Sequence, residues 1–124
     1  MGYRSDIAIA MRKEDFELLK EFDKENKNLM ELLEVAEVKE SRGVVVIKWD
    51  SLKWYSEFSE VQAIEEFLGK LSDEDKPYRF IRIGEDVDDT EIEYNYGDEE
   101  KYGDIAYRVN DMIGVTRYID TYID

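Results

Sequence analysis

Ten carboxylates lie between residues 85 and 104: Glu85, Asp86, Asp88, Asp89, Glu91, Glu93, Asp98, Glu99, Glu100 and Asp104. Lys101 is the one base among them. Side chains of this type suit three kinds of chemistry. Two acids can serve as proton donor and acceptor on a sugar. Clustered oxygens can hold Ca²⁺ or Mg²⁺. A row of negative charge can stand in for the phosphates of a nucleic acid and attract a basic protein.

The first two find little support. With 32 acids in the chain, some pair always lies close, so proximity alone does not mark a catalytic site. The chain has no histidine and no cysteine, which removes the nucleophilic triads, thiolate chemistry and the commonest metal ligand. No GxxxxGK[ST] or GxGxxG loop is present to cradle phosphate. Asp86, Asp88, Asp89 and Glu91 have oxygen-ligand spacing, but an EF-hand loop needs a third ligand where Thr90 stands and glycine where Glu91 stands. The expectation is a non-enzyme with no catalytic residue, no cofactor and no specific metal.

The charge reading survives longest. Net charge is 17 − 32 = −15. It is uneven: residues 1–62 carry 10 bases and 14 acids, or −4, and residues 63–124 carry 7 bases and 18 acids, or −11. Direct binding to nucleic acid or to an anionic membrane is disfavoured, and a basic partner is favoured. One extended strand with ten acids in twenty residues carries one charge per roughly 6.6 Å. A DNA strand carries one per about 3.4 Å. A phosphate mimic therefore requires the loop acids, the acids of 90–96 and those of 98–104 to share one surface. The candidate partner-binding residues are Glu85, Asp86, Asp88, Asp89, Glu91, Glu93, Asp98, Glu99 and Glu100. Trp54 and Tyr55 join them from the aromatic cluster Trp49, Trp54, Tyr55, Phe58, although such a cluster more commonly closes a sheet onto a helix. Arg4, Arg79, Arg82 and Arg117 would make a pocket for an anionic signalling nucleotide if their strands adjoin; salt bridges to nearby acids are the plainer reading.

These residues need elements to position them. The length of 124 residues suits one domain, 1–124. Residues 3–11 alternate as a strand, with Ala8 and Ala10 leaving room for close packing on one face. Residues 13–34 read as helix, interrupted near Asn26–Asn28. Residues 35–40 and 44–49 read as a hairpin through Ser41-Arg42-Gly43, followed by a linking segment at 50–56. A second helix runs over 59–71, with Ser59 and Gln62 as a capping box and Phe58 as its staple. Pro77 forbids helix at Lys76. Strands follow at 78–83 and 90–96, and a final hairpin pairs 105–109 with 114–123.

The order predicts an α+β fold. An antiparallel sheet carries two helices on one face, with a ferredoxin-like βαββαβ core and extra C-terminal strands extending it. No basic region precedes a long apolar stretch at the N-terminus, and no run approaches the ~18 apolar residues of a membrane span. The expected location is the cytoplasm.

The segments Met1-Gly2-Tyr3-Arg4-Ser5-Asp6, Lys53-Trp54-Tyr55 with Glu60-Val61, and Phe80-Ile81-Arg82-Ile83-Gly84-Glu85-Asp86 resemble a group of small acidic proteins encoded by bacteriophages and other mobile elements. The resemblance carries over no catalytic or binding residue. It implies a genetic setting in which small acidic proteins without enzymatic motifs are often inhibitors of host defence, anti-CRISPR proteins among them. The expected function is thus a phage-type inhibitor of a host nucleic-acid-handling protein, such as a CRISPR effector or restriction enzyme, acting in the host cytoplasm. A structural or oligomerising phage protein is the alternative.

Overall fold

The strand Ser5–Arg12 (β1) is the centre of the molecule. In the computed structural model, which describes residues 2–115 and 119–122, it pairs antiparallel with Val44–Leu52 (β3) on one side and Tyr78–Ile83 (β4) on the other. Ile7, Ile9 and Met11 point to one face and Ala8 and Ala10 to the other, and all five are fully buried. Both faces of β1 are therefore covered, as the small alanines suggested.

Three helices lie on the isoleucine face. The expected interruption near Asn26 divides the first helical segment into two helices, Lys13–Phe22 (α1) and Lys27–Val35 (α2). Asp23 leaves helical geometry at φ −146°, and the Asn26 side chain accepts a hydrogen bond from Leu29 N at 3.1 Å, so Asn26 starts the second helix as its N-cap. The next helix, Ser59–Asp73 (α3), outlasts the expected end by two residues. Its capping box does not form. Phe58 holds the cap position, Gln62 Nε2 donates to Ser56 O, and Ser59 Oγ faces Asn26. A turn closed by Phe58 N and Tyr55 O puts the Ser56 carbonyl within reach of Gln62. Phe16, Leu19, Leu29, Leu32, Ile64, Phe67, Leu68 and Leu71 fill the space down to the sheet. Burying a side chain of this size contributes about 1.5–3 kcal/mol.

The hairpin of Glu37–Ser41 (β2) with β3 turns through Arg42 at φ 52° and Gly43 at φ 80°. Two successive positive φ values match the twist of the flanking strands. β3 runs on to Leu52, through residues expected to be a linker. Its register against β1 shifts between Ser5 and Ile7. Ser51 absorbs the extra residue at φ 56°, and its N–H donates to Asp6 Oδ1 at 2.8 Å.

β4 pairs antiparallel with Thr90–Asn95 (β5), which ends the sheet; the strand order is β2-β3-β1-β4-β5. The fold is α+β with a five-stranded antiparallel sheet. Its C-terminal part departs from expectation. Residues 105–109 are not a strand. They belong to the helix Asp104–Asp111 (α5), separated at Gly103 from the single turn Glu99–Tyr102 (α4). A separate ribbon, Ile113–Val115 (β6) with Ile119–Thr121 (β7), follows. The remainder of the expected strand 114–123, at 116–118 and at 123, lies outside the described residues. The tail does not extend the sheet but covers its second face. Val109, Ile113 and Ile119 pack on Ala8, Ala10, Val44, Val46 and Ile81. Helix suits 104–111 because Ile105 and Val109, four apart, fall on one side, and the alanine face leaves room for it.

Candidate functional site

The candidate acids follow the β4–β5 hairpin, and the hairpin spreads them. Ile83 pairs with Thr90 at one end and Tyr78 with Asn95 at the other. Residues 85–89 sit beyond the first pair. Asp98, whose N–H bonds Asp75 O at 3.1 Å, sits beyond the second. Six residues of strand, roughly 20 Å, separate the two groups. Glu91 and Glu93 lie between them. The acids therefore mark out one long edge and do not form a single compact patch.

The loop is locked from inside. Gly84 N donates to Asp89 O, Asp89 N to Asp86 O and Thr90 N to Asp88 O. Arg82 donates to both oxygens of Asp89, at 2.6 and 3.1 Å, to Glu91 Oε1 at 3.0 Å and to Ser5 Oγ at 3.0 Å. Tyr3 donates its hydroxyl hydrogen to Asp89 Oδ2 at 2.6 Å and accepts from Asp86 N at 2.9 Å. A Cβ on Gly84 would collide with the Asp89 carboxylate and the Tyr3 hydroxyl. The hydrogen bonds from Arg82, then that from Tyr3, lower the Asp89 pKa to about 2. Asp89 is thus a structural ligand of the hairpin, and Glu91 shares its arginine. Glu85 accepts from Arg4 N. Asp86 and Asp88 are exposed, with Val87 almost fully exposed at the tip between them.

Between β5 and α3 runs a cleft of about 460 Å³. Tyr78 and Phe80 line it, with Glu91 and Glu93 from β5 and Glu65 and Asp73 from α3. Glu65 and Asp73 were missed from the sequence, because nothing local places α3 beside β5. Partial burial, and then the charges of Glu91 and Glu93, raise the Glu65 pKa above the ordinary range. Burial, then Glu93, raises that of Tyr78. Among the described residues, Glu65, Asp73 and Glu93 take part in no ion pair.

At the far end, Asp98 accepts from Glu100 N at 3.0 Å and starts α4, where Glu99 and Glu100 are exposed. Tyr102 of this turn lies against the Arg12 guanidinium, 4.7 Å away. Arg12 in turn binds the fully buried Asp15, at 2.9 and 3.0 Å. Asp104 is exposed and opens α5.

The aromatic candidates face inward. Trp54 packs 6.3 Å from Trp49 and 5.9 Å from Phe80, ring centre to ring centre, and Tyr55 pairs with Phe58 at 5.0 Å. Trp49 Nε1 donates to Leu32 O at 2.8 Å. This group closes the helix side of the sheet, so Trp54 and Tyr55 are half-buried in internal contacts. The exposed aromatics are others: Tyr94, Tyr96, Tyr107 and Tyr122. The alternation of 90–96 already put Tyr94 and Tyr96 on one face; Tyr107 joins them only because its segment is helical.

Among the described residues, Arg4, Arg79 and Arg82 do not form an anion pocket. Arg82 is held by acids, Arg4 Nη1 donates to Ser51 O at 2.8 Å, and Arg79 stacks on Tyr94 at 5.1 Å. Arg117 lies outside the described residues. Among the described residues no group of three or more acids is arranged to hold a metal ion, and no helix is long and apolar enough to cross a membrane. No family model, no curated protein and no solved structure matches this chain.

Proposed function

We propose that the chain is a non-catalytic binding protein whose acidic β5 edge engages a basic, nucleic-acid-handling protein. In the setting its phage-type resemblance implies, it inhibits a host defence protein, of the CRISPR or restriction kind, in the host cytoplasm. The observation that carries the binding reading is the cleft between α3 and β5. There Glu65 faces Glu91 and Glu93 across the cleft, and its pKa is raised first by partial burial and then by their charges. Lys or Arg from a partner relieves that repulsion. The association is then fast and weakens with salt. Asp86 and Asp88 at one end, and Glu99 and Glu100 at the other, add to the field that steers the partner. The inhibitory part of the reading rests on the resemblance. The strand order β2-β3-β1-β4 also supports reading the first four strands as a ferredoxin-like core, with β5 added at its edge.

The test is affinity capture from a bacterial lysate, at low and at high salt, with and without excess duplex DNA. The control chain carries Glu65→Lys, Asp73→Lys and Glu93→Lys, three positions with no internal ion pair. The expected result is a nucleic-acid-binding protein held at low salt, released by high salt and by DNA, and not held by the control. Retention that neither DNA nor charge reversal disturbs overturns the reading.

A further inference from the structure

We propose that the open side of β5 is a strand-addition site for an extended segment of a partner protein in which Lys or Arg alternates with apolar residues. The inference rests on the binding reading above and names the mode by which the acidic edge recognises its partner. β5 is the last strand of the sheet, so among the described residues one side of its backbone carries no strand. Thr90–Asn95 offers a template of roughly 20 Å.

The two faces of this edge differ in chemistry. Glu91 and Glu93 stand opposite Arg82 and Phe80 in register and line the cleft with α3. Ile92 and Tyr94 stand opposite Ile81 and Arg79, on the α5 side. Tyr94 continues into Tyr96, 5.8 Å away, and Tyr96 into Tyr107, 5.4 Å away. Ile92 is 46% exposed, Tyr94 58% and Tyr107 52%. These side chains form an exposed apolar and aromatic row beside the edge, and Tyr is a residue type enriched at binding hot spots.

A strand laid on β5 places its side chains alternately on these two faces. Residues opposite Glu91 and Glu93 come within about 5 Å, Cβ to Cβ, where Lys or Arg pairs with the Glu93 carboxylate and joins Arg82 at that of Glu91. The residues between them meet Ile92 and Tyr94, which suit an apolar side chain or a stacked guanidinium. A second copy of β5 is the poorer occupant. It would set Glu against Glu across the new pairing, between chains of net charge −15. Charge complementarity selects the basic alternating segment.

The probe is a short synthetic peptide alternating Lys and Val, compared with the same peptide methylated at every backbone nitrogen. Side chains and charges match, but the second peptide has no backbone donors. On the full chain, the first peptide should slow hydrogen exchange at amides within 90–95 and bind at least about tenfold more tightly than the second. Tyr94→Ala should weaken the first peptide more than the second. Equal binding of the two peptides without amide protection overturns strand addition and leaves the acidic-edge reading standing. Binding by neither overturns strand addition, while the lysate capture judges the acidic edge separately. Protection at 90–95 without peptide, together with a dimer in light scattering, also overturns the proposal by giving the edge to a second copy.

Discussion

Arg82 holds Asp89 by both carboxylate oxygens, at 2.6 and 3.1 Å. The pair divides the acids of the hairpin into those that build it and those that face outward. Asp89→Asn should therefore act on the fold. It removes the negative charge beside Arg82 and one of the two oxygens that accept from Arg82 and Tyr3, so the melting temperature falls. A double variant with Arg82→Gln should lose less than the sum of the two single losses, because both remove the same contact. Thermal melts of the four proteins check this; additive losses count against the coupling.

The same pair sets an acid limit. The Asp89 pKa falls from the ordinary 3.8 to about 2 on folding. The stabilisation is thus complete above about pH 4 and is lost as pH falls through 2. Melting temperature followed from pH 5 to pH 2 should drop more steeply in the native chain than in Asp89→Asn.

Glu65 has the opposite sign. Its raised pKa means that the folded chain favours the protonated carboxyl. The charged form at neutral pH opposes folding, and the penalty is relieved as pH falls below the raised value. Glu65→Gln should stabilise the chain at pH 7 by about 0.5 kcal/mol or less, given the exposure of the site. The gain should vanish at pH 4. Urea unfolding at both values measures it, and the variant should bind a basic partner more weakly.

The start of α2 depends on Asn26, which accepts from Leu29 N and donates to Ser59 O. Asn26→Ala should cost about 1 kcal/mol. Ser59→Ala should stay within about 0.5 kcal/mol, although its sequence context reads as a cap. Urea midpoints of the two variants decide between them.

Ala10 is fully buried beneath the second layer, in the cluster that includes Val109 and Ile113. Ala10→Leu should overpack that layer at a cost of about 1–3 kcal/mol. A neutral result in urea would mean that α5 packs more loosely than described.

Much of the architecture was legible from periodicity. The strand 78–83 stands where alternation put it, and the hairpin at Arg42-Gly43 where a positive φ was needed. The break near Asn26 was visible from its asparagines. The misses have local causes. Ser59 and Gln62 match a capping box, but a turn brought the Ser56 carbonyl to Gln62 first. Residues 105–109 carry apolar positions that fit either period, and the alanine face of β1 resolved them as helix.

Alternation of side chains along β5 is a property of its backbone, so the sequence by itself determined that Glu91 and Glu93 share one face and Tyr94 the other. It also determined the excess of negative charge and the lack of thiol and imidazole chemistry. Which acids stay available depends on what folds against them, and only the tertiary structure decided that. Arg82 lies on the neighbouring strand and reaches across to Asp89 and Glu91. Glu65 comes from a helix more than twenty residues earlier in the chain to face Glu91 and Glu93 across the cleft. Electrostatic partners are set by distance in space, which spacing along the chain does not encode.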